Sequence, residues 1–255
     1  MTEIYDHPEY FEIAYSFRDI RAEVDAIERL IYRYSQIPVK RILELGCGSA
    51  PHLPELARRG YHYVGLDYSA SMLDAARRRA EQYRVRATFV QSDLADFALA
   101  KPVDFAMVLL GSLYVVTTAE LTRHFENVAR ALHPGGLYLL DWTINCAPST
   151  ATHDIWVQRR GDIEVKTTYR AHLVSPVEQI MEEDVTMEVN DAGTRHVLHQ
   201  VAHQREIYPQ EFLAFVKHQP SWDFIGWWDS WDLDRPLDDL GAVHRPVVVI
   251  RRTGA

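Results

Sequence analysis

Gly46 and Gly48, with Glu44 just ahead of them and Asp67 about twenty residues beyond, are residue types from which a nucleotide site is built. The stretch Ile42-Leu43-Glu44-Leu45-Gly46-Cys47-Gly48-Ser49-Ala50 runs an apolar strand into a glycine turn. A backbone without Cβ atoms can approach a ligand there, the helix that follows offers free N–H groups, and Cys47 satisfies the need for a small side chain. A second apolar strand, Tyr63-Val64-Gly65-Leu66, ends in Asp67, a carboxylate able to accept both hydroxyls of an adenosine ribose. Glu44 separates the ligands such a unit could take. A dinucleotide would seat its pyrophosphate on the helix N-terminus, where the acid would repel it, whereas an ammonium would be attracted. The third glycine of the dinucleotide fingerprint is also absent from its usual spacing.

These residues need a strand–helix–strand frame, and the intervening sequence supplies it. Pro51 and Pro54 suit a first helical turn, Leu53, Leu56 and Ala57 form an apolar stripe, and Gly60 is placed to end the helix. On this unit the chain resembles the class I S-adenosylmethionine-dependent methyltransferases, and further matches follow in that family's order. Asp67-Tyr68-Ser69-Ala70-Ser71-Met72-Leu73 resembles the second motif, which implies Asp67 on the ribose with Tyr68 and Met72 flanking the adenine. Phe89-Val90-Gln91-Ser92-Asp93-Leu94 resembles the third, in which the acid accepts from the adenine amino group; read alone, Asp93 is equally a helix cap.

Val103 to Leu110 reads as a buried central strand leading into Gly111-Ser112-Leu113-Tyr114, where the family places the methionine end of the cofactor and the substrate mouth. Leu132-His133-Pro134-Gly135-Gly136-Leu137 to Asp141 matches the family's helix end, Pro-Gly-Gly turn and fifth strand. The cofactor residues implied are Tyr15, Glu44, Gly46, Cys47, Gly48, Asp67, Tyr68, Met72, Asp93, Leu94, Leu110 and Gly111.

The fold expected is α/β: a Rossmann-like seven-stranded sheet with an antiparallel last strand, an N-terminal helical extension and an inserted three-stranded antiparallel lid. Residues 1–40 form the extension over the cofactor site, 41–145 with 209–255 the core, and 146–208 the lid. In the extension, Asp19 caps a helix to Tyr34 whose apolar face is Ile20, Val24, Ile27, Leu30, Ile31 and Tyr34. The aromatics before it, among them Tyr5 and Tyr15, resemble a segment that folds over the cofactor in small-molecule methyltransferases. In the lid, Ile163 to Leu173 alternates, Gln179 to Val189 and Arg195 to Tyr208 continue the pattern, and Glu182, Asp184 and Glu188 can face Lys166 and Arg170 on an outer surface. Such a sheet encloses a small substrate; a homodimer interface or a docking surface for a larger partner are the alternatives. Trp222 to Trp228 supplies strand six and Val243 to Arg252 strand seven, joined by the acidic loop Asp229 to Asp239, and packing accounts best for the tryptophans at 222, 227, 228 and 231.

A formal net charge of −9 argues against a nucleic-acid target. The chain has no apolar run of membrane-spanning length and no signal-peptide pattern at Met1-Thr2-Glu3, so a cytoplasmic protein is expected. Cys47 and Cys146 are too few for a disulfide framework or a zinc site, and no residue cluster has metal spacing. The expected activity is metal-free, in-line methyl transfer to a nitrogen or oxygen of a small molecule. A base is optional, its candidates being His199, His203 and Tyr114; His153 and His172 lie on the same lid. The alternatives are a non-catalytic S-adenosylmethionine sensor or scaffold, or different sulfonium chemistry on this fold.

Overall fold

The computed structural model describes residues 3–237 and 241–254, so positions 238 and 239 of the acidic loop, and residues 1, 2 and 255 of the outer segments, lie outside the described residues. The chain opens with a short 3-10 turn (Ile4–Asp6) and helices α1 (Pro8–Ala14) and α2 (Ile20–Tyr34). Strand β1 (Arg41–Leu45), α3 (Leu53–Arg58), β2 (His62–Asp67), α4 (Ala70–Tyr83), β3 (Ala87–Gln91), β4 (Val103–Val108), α5 (Thr118–Ala131) and β5 (Leu132–Asp141) follow. Four long strands come next: β6 (Ala151–Arg160), β7 (Ile163–Ser175), β8 (Ile180–Asp191) and β9 (Thr194–Arg205). Helix α6 (Pro209–His218) leads to β10 (Trp222–Asp229), β11 (Asp232–Pro236) and β12 (Pro246–Arg252).

The main sheet has the order β11-β10-β12-β5-β4-β1-β2-β3. From β5 to β3 the neighbours are parallel, while β12 runs antiparallel to both β5 and β10. Strands β1 and β4 are adjacent although far apart in sequence, so the order reverses between them and opens a crevice at their carboxyl ends. Alternation along each strand divides the core. Leu43 and Leu45 pack with Phe125 and Val128 of α5 and Phe212 of α6, whereas Ile42 and Tyr63 pack with Val24, Ile27 and Leu30 of α2 and with Leu53 and Leu73. Asp19 caps α2 by accepting from Ala22 N at 3.0 Å, and Thr117 with Glu120 forms a capping box on α5.

Two expectations are corrected. The main sheet has eight strands rather than seven, because Asp232–Pro236, inside the acidic loop, pairs with β10. The second sheet has four strands, β6-β7-β8-β9, rather than three. Strand β6 carries no clean apolar alternation because it is an edge strand whose side chains are nearly all exposed, apart from half-buried Trp156 and Gln158. The tryptophans pack: Trp222 and Trp227 join one face of the core, Trp228 and Trp231 the other.

Gly65 shows how tightly β2 is held against the glycine turn. A Cβ there would meet Cys47 Sγ at 2.8 Å and the Tyr63 and Phe89 rings just beyond. Gly65→Ala should cost about 1–3 kcal/mol by overpacking. Urea unfolding of the variant tests this; an unchanged midpoint would show that the turn can yield.

Candidate active site

The β1–β4 crevice deepens into a cavity of about 630 Å3. Its floor is the turn after β1, where Gly46 (φ 64°) and Gly48 (φ 52°) adopt the left-handed conformation that side chains disfavour. Asp67 leaves the end of β2 beside this turn, its Oδ2 accepting from Gly48 N at 2.7 Å and its Oδ1 from Ser69 N at 2.8 Å. A carboxylate has about four acceptor sites, so two backbone donors leave room for two ligand hydroxyls. Burial raises the Asp67 pKa, opposed by the backbone N–H groups of Ser69 and Gly48.

Other lining residues come from every element around the crevice. Tyr68 and Met72 stand at the start of α4, and Asp93 and Leu94 follow β3, with Asp93 Oδ1 accepting from Ala95 N at 2.6 Å. No helix starts at Asp93, so the acid closes a loop turn instead. Tyr15 lines the cavity from the end of α1, wedged between Phe11 at 4.6 Å and Trp156 at 5.8 Å between ring centroids. Leu110 lines it at φ 55°, a strained conformation for a bulky residue. Buried Asp141 holds that strain in place, accepting from Leu110 N at 2.9 Å while Arg245 Nη2 donates to it at 2.6 Å. Gly111 lies behind the wall, bonded to the Asp141 carbonyl.

Glu44 also reaches the cavity, but its oxygens are engaged. His52 Nδ1 lies 2.9 Å from Oε1 and Tyr63 donates to Oε2 at 2.6 Å. His52 Nε2 is 2.9 Å from Glu23, which also receives Arg18 at 2.6 Å and Arg245 at 3.4 Å. The acid beside the glycines is thus one member of a buried charge network, and its pull on a ligand ammonium is shared with the cations around it.

The histidine candidates separate. His203 lines the cavity rim and pairs with Glu182 at 3.1 Å, whereas His199 does not line it and pairs with Asp184 at 3.2 Å on the outer face. Tyr114 lines the cavity and donates to Glu183 Oε2 at 3.0 Å; Tyr169 donates to Oε1 at 2.8 Å. Glu183, His52, Arg245 and Tyr169 were not among the expected site residues. For Glu183 a signal existed: if Glu182 and Asp184 face outward, the residue between them faces in. Among the described residues no group of three His, Cys, Asp or Glu is placed to hold a metal ion.

Residues 42–136 match the family model described as "Methyltransferase domain". A solved S-adenosylmethionine-dependent methyltransferase of Clostridium acetobutylicum superposes with a TM-score of 0.79 at 14% identity, over 96% of each chain. Residues 42–136 thus resemble a methyltransferase domain, on a fold shared with the class I methyltransferases. This domain resembles that of dTDP-3-amino-3,4,6-trideoxy-alpha-D-glucopyranose N,N-dimethyltransferase from Streptomyces venezuelae, 30% identical over 139 residues, or 53% of this chain and 56% of the other. An amino pentose methyltransferase from Micromonospora echinaspora, CalS10, solved with S-adenosylmethionine bound, gives a TM-score of 0.71 at 22% identity, covering 95% and 96% of the two chains. The chain spans about half the length of the curated relatives it matches. Residues of the second sheet and of α1 also line the cavity at the β1–β4 crevice, and Trp156 of that sheet donates to the Ala14 carbonyl at 2.8 Å.

Proposed function

We propose that the protein transfers a methyl group from S-adenosylmethionine to the nitrogen of a small molecule, an amino sugar being the first class to test. The observation that carries this is Asp67 beside the Gly46–Gly48 turn on the floor of one cavity, a carboxylate with acceptor capacity left for a ribose. The cavity lining suits the cofactor: Asp67 for the ribose, Tyr68 and Met72 for the adenine faces, Asp93 and Leu94 for its edge, and Leu110 beside the methionine end. When bound, the sulfonium supplies an electrophilic methyl group. The chain positions the acceptor in line with it, and the aromatic cover from Tyr15 and Phe11 keeps water from the transfer. The nitrogen acceptor is supported by the relatives, whose names specify amino sugars and N,N-dimethylation. A sensor without transfer is not favoured by enzymes of this kind among the relatives. Two free cysteines fit a reducing compartment such as the cytoplasm, and among the described residues no helix is long and apolar enough to cross a membrane.

The test is product analysis with dTDP-3-amino-3,4,6-trideoxyglucose, glucosamine and their hydroxyl counterparts. S-adenosylhomocysteine formed in step with an N-methylated product is expected. Methylation confined to hydroxyls, or tight cofactor binding without any product, would reject the proposal.

A further inference from the structure

Glu183 stands just behind the cavity wall at Tyr114, and among the described residues no cation pairs with it. It sits in the middle of β8, opposite Ala171 of β7 and Ala202 of β9, and these small neighbours leave its side chain room. Its two oxygens accept from Tyr114 and Tyr169, and among the described residues no salt bridge reaches it. The other groups acting on the cluster are Tyr5 from the N-terminal turn, Tyr15 from α1 and Glu206 after β9, which are phenols and a further acid. Burial pushes the Glu183 carboxyl up, only partly offset by the two phenols, and Glu206 adds to the rise. A half-buried carboxylate held by two phenol hydroxyls and lacking a counter-ion is the complement of an ammonium.

We infer that Tyr114 and Glu183 form the acceptor-side pair, in which the Tyr114 phenol oxygen takes an N–H of the incoming ammonium and Glu183 receives the displaced phenol proton. The inference rests on the reading of the protein as an amine methyltransferase. The proton balance is complete. An N–H bond of R–NH3+ breaks and leaves its electron pair on nitrogen; the proton passes to the Tyr114 oxygen while the Tyr114 hydrogen moves to Glu183 Oε2, giving R–NH2, a neutral phenol and a carboxylic acid. Desolvation assists, because it lowers the pKa of an ammonium and raises that of a carboxyl, which brings the two together. Tyr114 would touch the acceptor. Glu183 acts through it and is a positioning and proton-accepting residue.

Glu183→Gln and Tyr114→Phe test the pair, with dTDP-3-amino-3,4,6-trideoxyglucose and glucosamine as probes. Calorimetry should give both variants the parent's affinity for S-adenosylmethionine, since neither residue belongs to the cofactor set. For the parent, kcat/KM should fall on the acid side with a midpoint above the ordinary carboxylate range. For Glu183→Gln it should drop ~100-fold near neutral pH, and recover toward the parent as alkaline pH delivers the amine already unprotonated. A merely structural role would lower the rate equally at every pH, and that result overturns the inference. So does a Glu183→Gln rate within threefold of the parent, or a parent that binds the cofactor yet methylates neither amine. A parent that binds no S-adenosylmethionine removes the proposed function, and the inference with it.

Discussion

Asp67→Ala is expected to weaken S-adenosylmethionine binding by ~100-fold or more in a protein that still folds. Hydrogen bonds to a charged group are worth about 1.5–3 kcal/mol each, so two ribose hydroxyls without their acceptor lose roughly 3 kcal/mol or more, at 1.4 kcal/mol per tenfold. The substitution also frees Gly48 N and Ser69 N, which now donate to Asp67, so the glycine turn loses its fastening along with the ligand's acceptor. Asp67→Asn should not rescue binding, because its amide would bring a donor to face one of two N–H donors. Titration calorimetry on both variants decides the matter: dissociation constants within threefold of the parent would remove Asp67 from the cofactor site. The pH dependence has a definite sign. Burial raises the Asp67 pKa, so affinity should weaken as pH falls through a value above the usual aspartate range.

The second large effect is on stability. His52 is fully buried with Glu44 at one ring nitrogen and Glu23 at the other, both at 2.9 Å. A neutral imidazole donates from one nitrogen only, so two carboxylate partners call for the protonated ring. His52→Ala should therefore cost about 3–5 kcal/mol, the usual penalty for leaving buried charge without its partner. Burial opposes protonation, yet Glu44 and Glu23 together hold the His52 pKa above its ordinary value. Its contribution is complete below the unfolded histidine value of ~6.5 and is lost as pH rises through the folded one. For Glu23, burial raises the pKa, but the His52 hydrogen bond and Arg18 outweigh it and bring the group down to about 2. Its contribution is present above the unfolded carboxylate range and lost as pH falls through that value. Urea unfolding of parent and variant from acid to alkaline pH should show the widest gap between these limits, closing on the alkaline side. A gap under ~1 kcal/mol throughout would mean the network is not what holds this region.

Much of the frame was legible because strands buried on both faces announce themselves. Ile42 to Leu45, Tyr63 to Leu66 and Val103 to Val108 are largely apolar runs, broken only by Glu44, Gly65 and Asp104, and the glycine turn and Asp67 fall at their ends, where the crevice has to be. Strand β6 was not legible because an exposed edge imposes little on its side chains. The partners of Glu44 were hidden for a different reason. His52 and Glu23 belong to separate helical segments, and Arg245 reaches Asp141 across 104 positions. Single polar residues brought together from such distances leave no periodicity to read. Glu183 was hidden in plain view: three acids in a row at 182–184 read as a charged surface, although strand alternation turns the middle one inward.

The cover over the cavity has a core of its own, in which Ile4, Tyr10, Ile13 and Ala14 pack against Val165, Met187, Val189 and Leu198. Tyr10 donates to Asp191, 181 positions later, at 2.9 Å. During synthesis helix α1 leaves the ribosome well before the strands it packs on and must wait, its apolar face unpaired, until the chain has been extended past Leu198. A stretch made early is therefore finished late, and the cavity it helps to cover cannot exist before the strands up to Leu198 do.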